Sequence, residues 1–226
     1  MNDARKQIAT QKVLRLIEFD KAYNVATLCG VDEAGRGPLA GPVSVCACIM
    51  PFDYVIVGID DSKKLSEKKR EELFAQITAV ADYCVVMIDR AVIDRINILQ
   101  ATKQGMIQAI AGLKVKPDIA VIDAVKNLDT SVPYSSVVKA DAKSYSVAAA
   151  SIIAKVTRDR YMRELDRLYP QYGFASNKGY GTAEHISALK AHGYCPEHRR
   201  TFIKNFVDVD LYEDLPIVAG SDNGGK

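Results

Sequence analysis

Residues 25–50 read Val25-Ala-Thr-Leu-Cys-Gly-Val-Asp-Glu-Ala-Gly-Arg-Gly-Pro-Leu-Ala-Gly-Pro-Val-Ser-Val-Cys-Ala-Cys-Ile-Met50. Two β-rich runs, 27–31 and 43–50, flank a loop with three glycines, two prolines and one arginine. Such runs joined by a glycine loop predict an antiparallel strand pair. Asp32 and Glu33 stand where the first strand is expected to end. Divalent cations are held by oxygen ligands, and carboxylates supply both the oxygens and the neutralising charge. Beside them, Gly35-Arg36-Gly37 can bring backbone N–H groups and a guanidinium against a phosphate. The pairing points to metal-assisted chemistry on a phosphate ester.

A nucleotide-binding reading of the same loop fails on context. Gly35-Arg-Gly-Pro-Leu-Ala-Gly41 is one residue longer than the dinucleotide fingerprint. It joins two strands rather than a strand and a helix, and Pro38 and Pro42 stiffen a hairpin instead of opening a helix.

Upstream, residues 3–22 carry apolar positions at helical spacing (Ile8, Val13, Leu14, Ile17, Phe19) and predict an N-terminal helix. Downstream, Ser66 caps a helix expected to run to about residue 80, with Lys69 where a full capping box has Glu or Gln. A third strand is expected over 83–88, then a helix over 97–112 that stops at Gly112. Short runs at 119–122 and 135–138 read as strands that stop before Asp123 and Asp141. The alanine-rich stretch 144–168 predicts a long helix broken by Pro170, followed by helical pieces at about 182–191 and 196–206. This order predicts an α/β fold, a mixed five-stranded sheet with helices on its faces. The expected division is a core over 1–170, a small helical extension over 171–210 and a disordered tail within 211–226.

Asp32, Asp123 and Asp141 share a position at or just past the end of an expected strand. If those strands are neighbours, the three carboxylates converge at the sheet edge where α/β proteins bind ligands. Glu33 faces a parity problem, because adjacent strand residues point to opposite sides. It joins Asp32 only if the chain has already left regular strand geometry. Converging carboxylates cannot all stay ionised without a counter-charge. A pair of Mg²⁺ ions roughly 4 Å apart would supply it and clamp the attacking and leaving oxygens of a phosphoryl displacement. Taken singly, strand-end aspartates are more often turn residues or helix caps. Composition and spacing leave the two readings open.

The 226 residues are 48% hydrophobic and 26% charged, enough for a normal core. No apolar run approaches the roughly 20 residues that span a bilayer, and no apolar signal segment follows Met1. Five cysteines without framework spacing suit a reducing compartment, so a cytoplasmic protein is expected. A net charge of +2 does not by itself indicate nucleic acid; any basic surface must be local.

The chain closely resembles type 2 ribonuclease H, the ribonuclease HII family. Residues 32–43 look like that family's opening signature, Asp61-Ser-Lys-Lys-Leu-Ser66 like its second block and Ile96-Asn-Ile-Leu-Gln-Ala-Thr102 like its third. Lys139-Ala-Asp-Ala-Lys-Ser-Tyr-Ser-Val-Ala-Ala-Ala-Ser-Ile-Ile-Ala-Lys-Val-Thr-Arg-Asp-Arg160 resembles its longest block. Lys178-Gly-Tyr-Gly-Thr182 and His198-Arg-Arg-Thr-Phe202 complete the set. The resemblance implies a ribonuclease H-like fold whose helical extension completes a substrate cleft. It also implies a metal-dependent endonuclease acting on RNA–DNA hybrids and ribonucleotide-containing duplex DNA, in the service of ribonucleotide removal; oligomeric state is open, with a monomer the default expectation for an enzyme that binds a duplex. Asp32, Glu33, Asp123 and Asp141 would hold two Mg²⁺ or Mn²⁺ ions. Cleavage would fall 5′ of an embedded ribonucleotide, leaving a 3′-hydroxyl and a 5′-phosphate. Gly35, Arg36, Gly37 and Tyr180 match the elements that read the RNA–DNA junction. The 2′-hydroxyl, donor and acceptor at once, suits the backbone of a glycine loop. A tyrosine ring can pack on the next deoxyribose, where a further hydroxyl would clash.

Departures from the family pattern are few: Ala124 and Ala140 stand where glycine is common, Asn177 replaces a histidine, and Gly193-Tyr-Cys-Pro-Glu-His198 differs from a proline-rich version. Lys63, Lys64, Lys143, Lys155, Arg158, Arg199 and Arg200 are candidates for phosphate contacts, against the alternative of a solvated cationic face. Cys46 and Cys48 read as core residues rather than a zinc pair. His185, His192 and His198 are too scattered for a metal triad, and His198 is expected to fix the extension. Two other functions compete: a junction resolvase-like nuclease of the same fold, and a non-catalytic hybrid-binding module.

Overall fold

The computed structural model describes residues 3–209. Its elements are α1 (Asp3–Lys21), β1 (Leu28–Ala34), β2 (Val43–Ile49), α2 (Glu67–Thr78), β3 (Asp82–Ile88), α3 (Arg90–Ala111), β4 (Ile119–Asp123), β5 (Tyr134–Val137), α4 (Tyr145–Leu168), α5 (Phe174–Asn177), α6 (Ala183–His192) and α7 (Arg200–Ile203). The strands form one five-stranded sheet in the order β3-β2-β1-β4-β5. β2 lies antiparallel to both β1 and β3, whereas β4 lies parallel to both β1 and β5. The sheet is therefore mixed, and the glycine loop closes its antiparallel hairpin. The tail expected over 211–226 lies outside the described residues.

Strand alternation sends alternate side chains to two helical layers. Cys46 and Cys48 face Val13, Leu16 and Ile17 of α1, Leu73 and Ile77 of α2 and the alanines of α4. Cys29, Val31, Val45 and Ala47 face Ile93, Ala101, Met106 and Ile110 of α3. Both Cys46 and Cys48 are fully buried, as core residues should be. The alanine run of α4 brings its backbone down onto β1. A Cβ on Gly30 would stand 2.1 Å from the Ser146 carbonyl carbon and the Val147 nitrogen. Beyond α4, a smaller apolar cluster joins Met162, Leu165, Tyr172, Phe174, Leu189 and Ile203 to Leu39 and Ala40 of the glycine loop. The helical extension is thus packed onto the loop.

Ser66 and Ser144 cap their helices, accepting from the backbone N–H of Lys69 at 3.2 Å and Val147 at 3.1 Å. The helix expected over 97–112 begins earlier, at Arg90, capped by Asp89 accepting from the Val92 N–H at 2.9 Å. Asn97 breaks it with φ 65, and its side-chain oxygen caps the second half by accepting from the N–H groups of Leu99 and Gln100. The helix expected over 196–206 contracts to α7. Its first amides, Arg200 and Thr201, donate to Asp94 of α3, and the preceding residues run extended against the loop through an Ala40–His198 bridge. β1 runs on to Ala34 because its pairing with β2 continues to Ala34 opposite Ser44.

Candidate active site

The parallel register sets Val31 beside Ile122, so the next residues, Asp32 and Asp123, stand side by side where β4 ends. Asp141 lies in a 3₁₀ turn, Ala140–Ala142, that follows β5 and is entered through Lys139 at φ 55. Two backbone contacts hold this edge: Asp32 accepts from the Glu33 N–H at 2.8 Å, and Asp123 accepts from the Ala140 N–H at 3.1 Å. The expected convergence of strand ends is therefore present, with Asp32 inside the strand rather than past it.

Glu33 keeps regular strand geometry, paired opposite Val45, so the expectation that it must leave the strand is corrected. It still faces the same negative field. β1 outruns β4 by Glu33 and Ala34, and the charge of Asp123 still reaches Glu33 and adds to its rise. Burial pushes the Asp32 carboxyl well above the usual range, and Glu33, Asp123 and Asp141 push it further. Burial raises Glu33 too, although Arg36 beside it, 3.3 Å away, pulls the other way. Burial raises Asp141, as do Asp61 and Asp123. One oxygen of Glu33, Oε2, is buried without a hydrogen-bond partner. No three His, Cys, Asp or Glu side chains among the described residues stand at metal-ligating spacing. The four carboxylates share a field rather than a closed ligand set.

Lys63 is a second cation beside this field, after Arg36. Burial works against its charge, but Asp32, Asp141, Asp61 and Asp123 outweigh it and raise its ammonium. Its position comes from the 3₁₀ turn Ser62–Lys64, capped by Asp61 accepting from the Lys63 N–H at 2.9 Å. Asp61 is a carboxylate that sequence reasoning did not single out. The one available signal was its place immediately before Ser62-Lys63-Lys64. Lys64 and Lys143 are exposed nearby in the chain, and Lys155 is spent on Asp159 at 2.8 Å.

The glycine loop is held from behind by two buried arginines. Arg199 donates from Nε to the Gly41 carbonyl at 2.9 Å, from Nη1 to Arg36 at 2.9 Å and from Nη2 to Gly35 at 2.7 Å. Arg158 donates to the carbonyls of Pro42, Lys178 and Ala40. Both side chains have 0% exposure. The expectation that Arg199 and Arg158 touch phosphates is corrected: their guanidiniums are enclosed and their donors serve loop carbonyls. Gly35, at φ 94, is required for this, since a Cβ there would lie 2.0 Å from Arg158 Nε. On the outer side, Arg36 and Gly37 are exposed and the Tyr180 ring is 45% exposed. A Cβ on Gly37 would meet Tyr180 Cε1 at 3.7 Å, so ring and loop are neighbours. His185 and His198, far apart in sequence, meet at 3.0 Å, while His192 is exposed at the end of α6.

Acidic strand ends on a mixed sheet, beside a clamped loop with an outward arginine, define an α/β protein with an acidic edge suited to cations and phosphates. Residues 29–206 match the family model for Ribonuclease HII. A ribonuclease HII of Acetivibrio thermocellus is 56% identical over 190 residues, 84% of this chain and 73% of the relative. One of Shouchella clausii is 54% identical over 184 residues, 80% of this chain and 70% of the relative. The crystal structure of the ribonuclease H2 from Pyrococcus horikoshii OT3 is similar with a TM-score of 0.67 at 30% identity, covering 77% of this chain and 93% of that one. The chain belongs to the ribonuclease HII family, and is accordingly a nuclease. No helix among the described residues is long and apolar enough to cross a membrane.

Proposed function

We propose that this protein is a metal-dependent endoribonuclease that cleaves the RNA strand of RNA–DNA hybrids and cuts 5′ of single ribonucleotides embedded in duplex DNA. The products would be a 3′-hydroxyl and a 5′-phosphate, and the role ribonucleotide removal. The observation that carries this reading is the mutual crowding of Asp32, Glu33, Asp123 and Asp141, with the buried Glu33 Oε2 left without a partner. An oxygen-only donor set that repels itself fits hard divalent cations, Mg²⁺ or Mn²⁺. Two such ions, bound by these four side chains, would supply charge neutralisation and Lewis acidity at the scissile phosphate.

The protein's own groups orient the substrate. Arg36 and Lys63 present cations to the backbone phosphates, with Lys64 and Lys143 at the rim. Gly35-Arg36-Gly37 grips the 2′-hydroxyl, and Tyr180 packs on the sugar that follows. Residues 1–170 serve as the catalytic core and residues 171–210 complete the cleft. A monomer suffices for a duplex substrate. Five free thiols suit a reducing cytoplasm.

Incubation with three duplexes tests this: one carrying a single ribonucleotide, one all DNA, and one RNA–DNA hybrid, each with Mg²⁺ or Mn²⁺. Incision of the first and third, 5′ of the ribonucleotide in the first, is expected. No incision of the single-ribonucleotide duplex with either metal would sink the proposal. Cutting of branched all-DNA substrates would favour a resolvase, and binding without turnover a hybrid-binding module.

A further inference from the structure

His185 and His198 form a buried imidazole pair whose hydrogen bonds dictate both tautomers. The Cys195 N–H donates to His198 Nδ1 at 3.0 Å, with the Cys195 thiol 3.2 Å from the same nitrogen. The proton of His198 therefore resides on Nε2, which faces His185 Nε2 at 3.0 Å. That nitrogen must be bare, so His185 carries its proton on Nδ1 and donates it to the Tyr180 carbonyl at 2.9 Å. The Tyr180 carbonyl also accepts from the Thr182 N–H at 2.8 Å. The rings of Tyr172 and Phe174 box the pair in, with Tyr172 centred 4.7 Å from His198 and Phe174 5.4 Å from His185. The histidines are 0% and 1% exposed.

The two ends of this chain of bonds are the two parts of the junction reader. At one end stands Tyr180. At the other, His198 bridges to Ala40 of the glycine loop, and the next residue, Arg199, holds the carbonyls of Gly35, Arg36 and Gly41. We propose that the His185–His198 pair is a tautomer-locked positioning element that aligns the Tyr180 ring with the Gly35-Arg36-Gly37 loop, and so sets how strongly the enzyme prefers an RNA–DNA junction over continuous RNA. This rests on the reading of Tyr180 given above.

Two neutral rings are required, because a second proton would set two N–H groups head to head. Burial, with His185 beside it, pushes His198 down to about 3, and burial lowers His185. Apart from each other, the rings face Tyr172, Phe174, the Cys195 thiol and the backbone of Tyr180 and Cys195; no carboxylate or ammonium among the described residues acts on either.

Two polar substitutions separate alignment from packing. In His185→Asn the amide nitrogen replaces Nδ1 and keeps the bond to Tyr180. In His185→Gln the amide replaces Nε2, keeping His198 and releasing Tyr180. The readout is the ratio of incision rates on the single-ribonucleotide duplex and on the RNA–DNA hybrid. The Asn variant gives up the bond to His198 and the Gln variant the bond to Tyr180, so each breaks one link between ring and loop and is expected to lower the ratio about fivefold, the scale of one hydrogen bond. A ratio that either variant leaves at the wild-type value, whatever the loss in overall rate, would overturn the proposal. Tyr180→Ala in the unaltered pair isolates the other premise: an unmoved ratio sinks the junction reading itself, and the proposal with it. Independently of any variant, ¹⁵N spectra of histidine-labelled wild type should place the protons on His198 Nε2 and His185 Nδ1, unchanged from about pH 5 to 8. A shared tautomer, or charging of either ring in that range, would overturn the lock.

Discussion

Ala124 follows Asp123 at φ 47, in the left-handed region where a methyl group crowds the following carbonyl. Glycine is at home there, whereas Ala140 is not among the positive-φ residues. Ala124→Gly should therefore stabilise the protein by about 0.5–1 kcal/mol, a rise of about 1–4 °C in Tm. A fall in Tm would show that the turn carries no strain. Cations divide by enclosure. Arg199→Ala strands three loop carbonyls and should cost about 3 kcal/mol or more, read by denaturant unfolding. It should leave the salt dependence of duplex binding unchanged, because it contacts no phosphate. Lys63→Ala should instead lower the slope of log K against log salt by about 1. Residue types were legible in the sequence, but their enclosure was not: Lys63 and Arg199 are both cations near a motif, and only one reaches solvent.

β1 and α4 meet where Gly30 passes the first turn of the helix, and that approach sets the height of Asp32 within the sheet edge. Gly30→Ala would drive a methyl into the backbone of Ser146 and Val147, forcing the elements apart. We expect a loss of about 2–3 kcal/mol, accompanied by weaker incision even where the variant remains folded. Unchanged unfolding would mean that the helix moves without cost. Most elements were legible from periodicity and caps, including the hairpin, Ser66 and Ser144. α3 and α7 were not, for one shared reason: side chains remote in sequence or out of pattern finish them. Asn97 recaps α3 from a left-handed position, and Asp94 of α3 supplies the acceptors that start α7.

Across the whole molecule, the acidic edge opposes the apolar layers that hold the sheet. Asp32, Glu33 and Asp141 bind protons more tightly folded than unfolded, since burial and their neighbours raise them. Their contribution to stability is therefore favoured at acid pH and lost as pH rises from the ordinary carboxylate value, about 4, through the raised values. Asp32→Asn relieves this repulsion. Its stability relative to wild type should grow between about pH 4 and 7 in chelator, while incision falls at least about a thousandfold. Mg²⁺ or Mn²⁺ at ten times Kd should restore about 1.4 kcal/mol to wild type and less to the variant. A stability gap that neither pH nor metal changes would refute the shared acidic field. The chain's own pattern determined the mixed sheet, the hairpin loop and the identity of the acidic residues, because periodicity, turn chemistry and charge are properties of neighbours along the chain. Tertiary structure alone decided that Glu33 shares the field without leaving its strand, that Asp61 stands against Asp141, that Arg158 and Arg199 brace the loop, and that two distant histidines meet. Each of those depends on which segments touch and on what contact with one another removes from water.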